Sequence, residues 1–140
     1  MLTIYPIEDK QEQERLCGVC SIPYRISALA YGAYVDGAFV GMSQFSVCDE
    51  YGTLHELAYA KGTRDREAIF ILGRQTMNWI DLLGIHTCRT SPAAAEEKML
   101  RLLGFSKTDD PEVLSADMTH MFDGHCGGNC NLAEELLSDD

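Results

Sequence analysis

Alternation and spacing of apolar positions predict short strands and helices in the first quarter of the chain. Residues 2–5 alternate between apolar and polar side chains and predict a first strand. Residues 8–17 are mostly polar and predict a helix capped near Asp9, because an aspartate side chain accepts hydrogen bonds from the first free N–H groups of a helix. Pro23 suits the first position of a second short helix, which we expect over residues 24–29.

Three strands in a meander are predicted next. The dipeptide at 36–37 is Asp-Gly, and it separates the apolar runs 30–35 and 39–47. Asp-Gly favours the positive φ angles of a two-residue hairpin turn. A second turn over 49–52 leads into a strand over 53–60. These residues therefore predict an antiparallel unit of three strands.

A long amphipathic helix follows the meander. Its apolar face recurs at spacings of three and four residues and comprises Ile69, Leu72, Thr76, Trp79, Ile80 and Leu83. Gly84 suits the left-handed position that ends a helix. The short loop over 61–66 precedes this helix and carries both basic and acidic residues. Because the free N–H groups of a first helical turn attract negative charge, this strand, loop and helix predict an anion site.

The last third of the chain completes the predicted sheet. Its elements are a strand at 85–89, a helix at 93–103 and extended segments at 105–107 and 113–122. Ser91 as N-cap and Pro92 at the first helical position mark the start of that helix. The fold class predicted is α/β (α+β), with a mixed, mostly antiparallel central sheet of about six to seven strands flanked by about four helices.

Composition narrows the classes of function. The chain has 140 residues and a net charge of −11, and its 11 Lys and Arg residues are spread along the sequence, which argues against a nucleic-acid partner. No apolar run approaches the length of a membrane span, and the first residues do not resemble a secretory signal. We therefore expect a cytoplasmic protein with one domain over 1–122 and a Cys- and His-containing tail over 123–140. The sequence leaves the oligomeric state open.

Three short motifs occur in the same order as the predicted elements. They are Glu56-Leu-Ala-Tyr59 followed by Arg64, the helix end Leu83-Gly84-Ile85, and Leu102-Leu-Gly-Phe105. With these motifs and this order of elements, the chain resembles the GNAT family of N-acetyltransferases over residues 2–122. The last motif is similar to the sequence that closes the family's second signature helix.

The resemblance implies transfer of an acetyl group from acetyl-CoA to an amine. The acceptor would be a small-molecule amine, a lysine side chain or a protein N-terminus. In the family, the fourth strand binds the pantetheine arm of the cofactor where it separates from the fifth strand, and the following loop holds the pyrophosphate. The cofactor-binding residues so implied are Leu57, Ala58 and Tyr59 on the strand and Arg64, Asp65, Arg66, Glu67, Ala68 and Ile69 in the loop.

Acetyl transfer to an amine requires a base that takes up a proton. His55 and Glu56 are the catalytic candidates because they lie on the same strand as the implied cofactor residues. Neighbours on a regular strand point to opposite faces, so we expect only one of the two to face the cleft. The family often places a proton-donating tyrosine where this chain has Leu100, which leaves water, Cys88, Ser91 or no group as the acid.

The implied phosphate loop departs from the family pattern. Glu67 stands at the position of the first family glycine, and Ile69 stands at the second. Glycine allows a phosphate to approach the bare backbone, whereas a glutamate adds bulk and negative charge. The alternative interpretation is therefore a GNAT-like binding or regulatory module that has lost catalysis.

The cysteines allow a second kind of site. Cys17 and Cys20 have the spacing of a metal-binding hairpin, and the tail contributes Cys126 and Cys130. Four thiolates are able to bind zinc in a tetrahedral site. The other interpretation is that these residues are reduced thiols, since buried cysteine also behaves as a small apolar side chain. The sequence leaves both interpretations open.

Overall fold

The structure, a computed structural model, describes residues 1–123 and contains a seven-stranded sheet. The strands are β1 (Leu2–Pro6), β2 (Leu29–Val35), β3 (Ala38–Val47), β4 (Gly52–Tyr59), β5 (Thr87–Thr90), β6 (Ser106–Lys107) and β7 (Leu114–Asp117). The helices are α1 (Lys10–Val19), α2 (Arg66–Leu82) and α3 (Glu97–Leu103). The predicted tail, with Cys126 and Cys130, lies outside the described residues apart from Asp123.

The strand order is β1-β2-β3-β4-β5-β7-β6. Every neighbouring pair is antiparallel except β4 and β5, which α2 connects as a parallel crossover. The prediction of a mixed, mostly antiparallel sheet of about six to seven strands is confirmed. Residues 1–123 contain three helices where about four were predicted for the whole chain. In this described part, each helix is too short or too polar to span a membrane.

The main hydrophobic core lies between one face of the sheet and the helices α2 and α3. Four of the six predicted stripe positions on α2 are buried there, namely Ile69, Leu72, Thr76 and Ile80. Trp79 is partly buried, whereas Leu83 follows the last residue of the helix and is 51% exposed, so its assignment to the buried stripe is wrong. Phe45 of β3 packs edge-on against Trp79 in the same layer. The other face of β2 and β3 carries a smaller cluster with α1, formed by Ile7, Leu16, Cys17, Cys20, Ala30 and Met42. Helices therefore cover both faces of the first half of the sheet.

The hairpin between β2 and β3 has the predicted two-residue turn. Asp36 and Gly37 adopt φ angles of 50° and 86°, the two positive values of a primed turn. The first helix also begins at its predicted cap, and the long helix begins at a cap that the sequence analysis did not identify. Asp9 accepts hydrogen bonds from the first free N–H groups of α1, and Asp65 accepts one at the start of α2.

The short helix predicted over 24–29 is wrong. Residues 23–28 form a loop whose polar backbone groups bind side chains from other elements, and Leu29 is the first residue of β2. The Arg25 N–H donates to Gln44 Oε1 at 3.1 Å, and the Pro23 carbonyl accepts from Gln44 Nε2 at 2.8 Å. Lys10 Nζ donates to the Ala28 carbonyl at 2.6 Å. Side chains of other elements therefore form the hydrogen bonds that these backbone groups would otherwise form within a helix.

The predicted start of the helix after β5 is also wrong. The Ser91 hydroxyl accepts from the Ala93 N–H at 3.0 Å and supports a turn rather than a helix. The Ala94 carbonyl accepts from the Leu57 N–H of β4 at 2.9 Å and so does not serve a helix. The helix α3 begins only at Glu97, and it ends as predicted at Gly104, which has a φ angle of 107°.

Candidate functional site

The strands β4 and β5 pair at one end and then separate. Their pairing covers the three register positions from Gly52 to Leu54 on β4, and Thr90 Oγ1 donates to the Leu54 carbonyl at 2.7 Å at its end. The strand β4 continues along β3 as far as Tyr59, whereas β5 ends at Thr90. The edge of β4 over residues 55–59 therefore faces a gap between the two strands.

A bulge in β4 determines how the two catalytic candidates point. The register with β3 shifts between Gln44 and Phe45, and His55 is the extra residue. Ser46 Oγ and His55 Nε2 are hydrogen-bonded at 2.8 Å, and Gln44 Nε2 donates to Glu56 Oε1 at 2.8 Å. Because Gln44 and Ser46 are two residues apart on β3, they share a face. His55 and Glu56 therefore share that face as well, which corrects the prediction that they point to opposite faces.

Glu56 is the buried partner of an ion pair with Arg25. Its side chain is 10% exposed, whereas that of Arg25 is 41% exposed. Arg25 Nε donates to both carboxylate oxygens at 3.0 Å, and Arg25 Nη2 donates to Oε2 at 2.6 Å. With Gln44 as a further donor, the carboxylate accepts four hydrogen-bond contacts. Removing a proton from an amine acceptor requires a free lone pair, so this pairing makes Glu56 the poorer candidate base.

Gln44 connects the elements around that ion pair. Its amide nitrogen donates to Glu56 and to the Pro23 carbonyl, and its amide oxygen accepts from three donors. Those donors are Gln13 Nε2 at 3.0 Å, the Arg25 N–H at 3.1 Å and Cys17 Sγ at 3.3 Å. Gln44 is fully buried, so its hydrogen bonds join α1, β3, β4 and the loop before β2 in the interior. Gln13 Nε2 also donates to the Arg25 and Ala28 carbonyls, at 3.3 and 3.4 Å.

His55 is half-buried beside the same ion pair. Burial lowers the pKa of its imidazole, the charge of Arg25 lowers it further, and the charge of Glu56 acts in the opposite direction. The imidazole is therefore neutral near pH 7, which is the form that accepts a proton. Of the two catalytic candidates, His55 has the protonation state that a general base needs.

The implied cofactor strand already has partners at the gap. The Leu57 N–H donates to the Ala94 carbonyl at 2.9 Å, and the Tyr59 hydroxyl donates to Glu96 Oε1 at 3.0 Å. Burial and the hydrogen bond to Glu96 raise the pKa of Tyr59 to about 12. Ala58, between them, is partly buried against the cluster around α1. Backbone and side-chain donors of β4 thus face the gap and bind residues of the segment after β5.

Carboxylates surround the implied phosphate loop. Asp65 Oδ1 accepts from the Ala68 N–H at 3.0 Å, so the aspartate occupies one donor at the start of α2. The Ile69 N–H donates to the Asp65 carbonyl at 3.1 Å. Arg64 forms an ion pair with Glu96, and Glu67 is exposed in the first turn of α2. Arg66 also has an electrostatic or hydrogen-bonding partner.

Two side chains of that loop belong to the core rather than to a ligand surface. Ala68 is 3% exposed and Ile69 is 1% exposed, and both lie in the main hydrophobic cluster. The isoleucine at the second family glycine position therefore points away from the loop surface. Glu67, at the first glycine position, retains the negative charge that opposes a phosphate.

The alternative proton donors differ in access. Leu100 is 1% exposed and packs in the core. Cys88 is fully buried, and burial raises the pKa of its thiol to about 12. Ser91 is exposed at the start of the segment after β5.

The first half of the predicted metal site is a pair of buried thiols. Burial raises the pKa of Cys17 to about 11 and that of Cys20 to about 12, which favours the protonated thiol over the thiolate that binds zinc. Residues 1–123 contain no cluster of three His, Cys, Asp or Glu side chains suited to a metal ion. Cys126 and Cys130 lie outside the described residues, so the four-cysteine site stays a prediction.

Two cavities lie at the connection between β6 and β7. One of about 640 Å³ is bounded by α3, and one of about 310 Å³ lies beside Arg89. Asp109 and Asp110 line both cavities. Basic side chains line the same cavities, Arg101 and Lys107 in the larger one and Arg89 in the smaller one, so this end of the sheet carries charges of both signs.

Solved structures with the same architecture are acetyltransferases. N-acetylglutamate synthase from Neisseria gonorrhoeae, complexed with coenzyme A and N-acetyl-glutamate, is 12% identical with a TM-score of 0.69, and the match covers 86% of this chain and 36% of that one. Ribosomal-protein-S18-alanine N-acetyltransferase from Escherichia coli is 14% identical with a TM-score of 0.66, covering 89% and 99%. A GNAT family acetyltransferase from Elizabethkingia anophelis with acetyl-CoA bound is 14% identical with a TM-score of 0.63, covering 83% and 97%.

The chain has the GNAT fold. No protein-family model and no curated protein matches its sequence, so this identification rests on structure. The chain spans about a third of the length of the N-acetylglutamate synthase. The resemblance inferred from the sequence is confirmed at the level of the fold, since identities of 9–17% to the solved structures establish no more.

Within the GNAT fold, several residues at the site were missed by the sequence analysis. They are Gln13, Arg25, Gln44 and Glu96. The one available signal was Gln44, a polar residue that interrupts the apolar strand β3. Arg25 and Glu96 lie in irregular segments, and their partners are 31 and 32 or more residues away in sequence. Only the folded topology brings those charges together.

Proposed function

We propose that the protein transfers an acetyl group from acetyl-CoA to an amine. The observation that carries the proposal is the separation of β4 from β5 in a GNAT fold, which leaves donors of β4 facing a gap. Solved structures with this fold bind coenzyme A or acetyl-CoA. The proposal includes a cytoplasmic location and leaves the acceptor as a small-molecule, lysine or N-terminal amine.

The residues of the implied cofactor site fit the amide-containing arm of acetyl-CoA better than its phosphates. The Leu57 N–H and the Tyr59 hydroxyl on β4 are donors suited to an amide-containing arm, and Arg64 is a cation suited to a phosphate. The carboxylates of Asp65 and Glu67 oppose the phosphates at the helix terminus. We therefore expect binding that depends on Arg64 and is weakened by these two carboxylates.

In this proposal, His55 is the base that acetyl transfer to an amine requires. When bound, acetyl-CoA supplies the activated acetyl thioester. The neutral His55 would accept the proton that the amine loses as its nitrogen bonds to the acetyl carbon. The carbon–sulfur bond would break as coenzyme A leaves as a thiolate, which would take a proton from water, and His55 would return its own proton to solvent. Burial of His55 and the adjacent charge of Arg25 disfavour a positive imidazole in the resting protein, against the opposing effect of Glu56. An amide and free coenzyme A are the products.

Acetyl-CoA binding is the first test of the proposal. A ligand that binds only the folded protein stabilises it by about 2.7 kcal/mol at a hundredfold excess over its dissociation constant. We expect acetyl-CoA to raise the melting temperature of the reduced protein. Release of free thiol with a panel of amines then measures turnover. Absence of a thermal shift at millimolar acetyl-CoA would overturn the proposal.

A second candidate function is a GNAT-like binding module without catalysis. Two observations favour it, namely the Leu57–Ala94 hydrogen bond across the gap and the Asp65 cap at the phosphate loop. His55→Gln separates the two functions. Transferase activity predicts that this variant binds acetyl-CoA as the wild type does but loses turnover by about a hundredfold. A binding module predicts no turnover in either protein.

A further inference from the structure

The segment Ser91–Glu96 lies against the free edge of β4 where that edge faces the gap. It follows the end of β5 and precedes α3. The Ala94 carbonyl accepts from the Leu57 N–H at 2.9 Å, and Ala94 is 6% exposed. The segment therefore takes the place of a strand partner for β4 at one position.

Glu96 fixes the end of this segment. Its carboxylate accepts from the Tyr59 hydroxyl at 3.0 Å and forms an ion pair with Arg64. Tyr59 is on β4 and Arg64 is in the loop before α2, so one side chain ties the segment to both elements. Although Glu96 is the N-cap residue of α3, its side chain makes no capping hydrogen bond. Its contacts are directed to the gap and not to its own helix.

These contacts occupy the donors that the proposed cofactor site offers. An amide-containing arm along β4 would need the Leu57 N–H, and a phosphate would need Arg64. Both are satisfied from within the chain, by a carbonyl and by a carboxylate that carries the same sign of charge as a phosphate. A ligand and this segment therefore compete for the same atoms.

We propose that residues 91–96 form a strap that closes the cofactor cleft, with Glu96 as its latch. The inference rests on the proposed function. Acetyl-CoA binds the state in which Glu96 has left Arg64 and Ala94 has left Leu57. The apparent association constant is that of the open cleft multiplied by the fraction of molecules in which the strap is open. The strap thus makes cofactor binding weaker than an open cleft would allow.

Glu96→Ala tests the latch, and Glu97→Ala is the matched control. Glu97 is the next residue, is exposed, and carries the same charge at the start of α3. By calorimetric titration, we expect Glu96→Ala to bind acetyl-CoA about fivefold more tightly than the wild type, which is the order of one partly exposed ion pair and one hydrogen bond. Glu97→Ala should bind as the wild type does.

A second measurement separates the strap from a simple charge effect. Amide hydrogen exchange at Leu57 in the absence of ligand should be faster in Glu96→Ala than in the wild type, and unchanged in Glu97→Ala.

Three outcomes would contradict the strap or the function on which it rests. Equal tightening of acetyl-CoA binding in both variants, with no change in exchange at Leu57, means that only net charge matters, and this overturns the strap. Unchanged affinity in Glu96→Ala overturns the strap and leaves the proposed function standing. Failure of every variant to bind acetyl-CoA overturns the proposed function and, with it, the strap.

Discussion

Gln44 is the residue on which the buried polar network depends. It bonds to groups from α1, β4 and the loop between α1 and β2, and replacing it with leucine removes the acceptor of the Arg25 N–H and a donor to Glu56. Because buried polar groups that lose their hydrogen-bond partners are costly, we expect Gln44→Leu to lower the free energy of unfolding by about 2–4 kcal/mol. Urea unfolding measures this change.

Gln75→Leu is the control for that substitution. Gln75 is exposed on α2, so the same chemical change there should alter the free energy of unfolding by less than about 0.5 kcal/mol. Equal losses in the two variants would show that the hydrogen bonds of Gln44 contribute nothing beyond a general effect of leucine.

His55 is the residue whose titration reports on the ion pair beside it. Burial and the positive charge of Arg25 lower its pKa below 6.5, and Glu56 raises it. Arg25→Met removes the nearby positive charge, so we expect the pKa of His55 to rise. Side-chain NMR titration of His55 in both proteins measures the change, and a lower pKa in the variant would contradict the assigned geometry.

The same shift predicts how stability depends on pH. The folded pKa of His55 lies below the unfolded value of 6.5, so the unfolded chain binds more protons in the interval between them. The contribution of His55 to stability is therefore complete above pH 6.5 and is lost as the pH falls through the folded pKa. Subtracting the unfolding free energies of His55→Gln from those of the wild type across pH 5–8 should give a difference that rises with pH. A difference that falls with pH would contradict the lowered pKa.

At the scale of elements, local signals predicted the parts of the fold that local forces decide. The Asp-Gly turn, most of the apolar stripe of α2 and the Asp9 cap of α1 were predicted correctly because each depends on neighbours in sequence. The loop at 24–29 and the late start of α3 were not, because Gln44 and Leu57 decide them from distant strands. The bulge at His55 depends on the register between β3 and β4, which one strand alone does not specify.

Two glycines test how the helices pack. A Cβ atom at Gly18 of α1 meets nothing within 4 Å, whereas one at Gly73 of α2 would lie 2.9 Å from Leu103 and 3.1 Å from Leu57. Alanine favours a helix over glycine, so Gly18→Ala should raise the free energy of unfolding by about 0.5 kcal/mol. Gly73→Ala should lower it by about 1–3 kcal/mol, because the gain in helix propensity is outweighed by overpacking. Stabilisation by both substitutions in urea unfolding would contradict the packing of α2 against α3 and β4.

The aspartate cap at the start of α2 leads to a prediction about acetyl-CoA binding. Asp65→Asn keeps a side-chain oxygen that caps the helix but removes a negative charge from the phosphate loop. We expect little change in melting temperature and tighter binding of acetyl-CoA, by about two- to fivefold. Asp9→Asn is the control, because it makes the same change at the cap of α1. Tighter binding in the Asp9 variant as well would assign the effect to net charge.

At the scale of the whole molecule, the net negative charge favours an acceptor amine that carries additional positive charge. The net charge of −11 attracts cations. Asp109 and Asp110 line both cavities at the end of the sheet, together with Arg101 and Lys107 in one and Arg89 in the other. We therefore expect a diamine to be acetylated with a higher kcat/KM than a monoamine of the same length at low salt.

Ionic strength tests this expectation. Raising it from about 0.02 to 0.3 M shortens the range of electrostatic attraction and should lower kcat/KM for the diamine more than for the monoamine. Saturating acetyl-CoA removes the salt dependence of cofactor binding from the comparison. Parallel losses for the two amines would mean that the acidic surface serves solubility and does not select the acceptor.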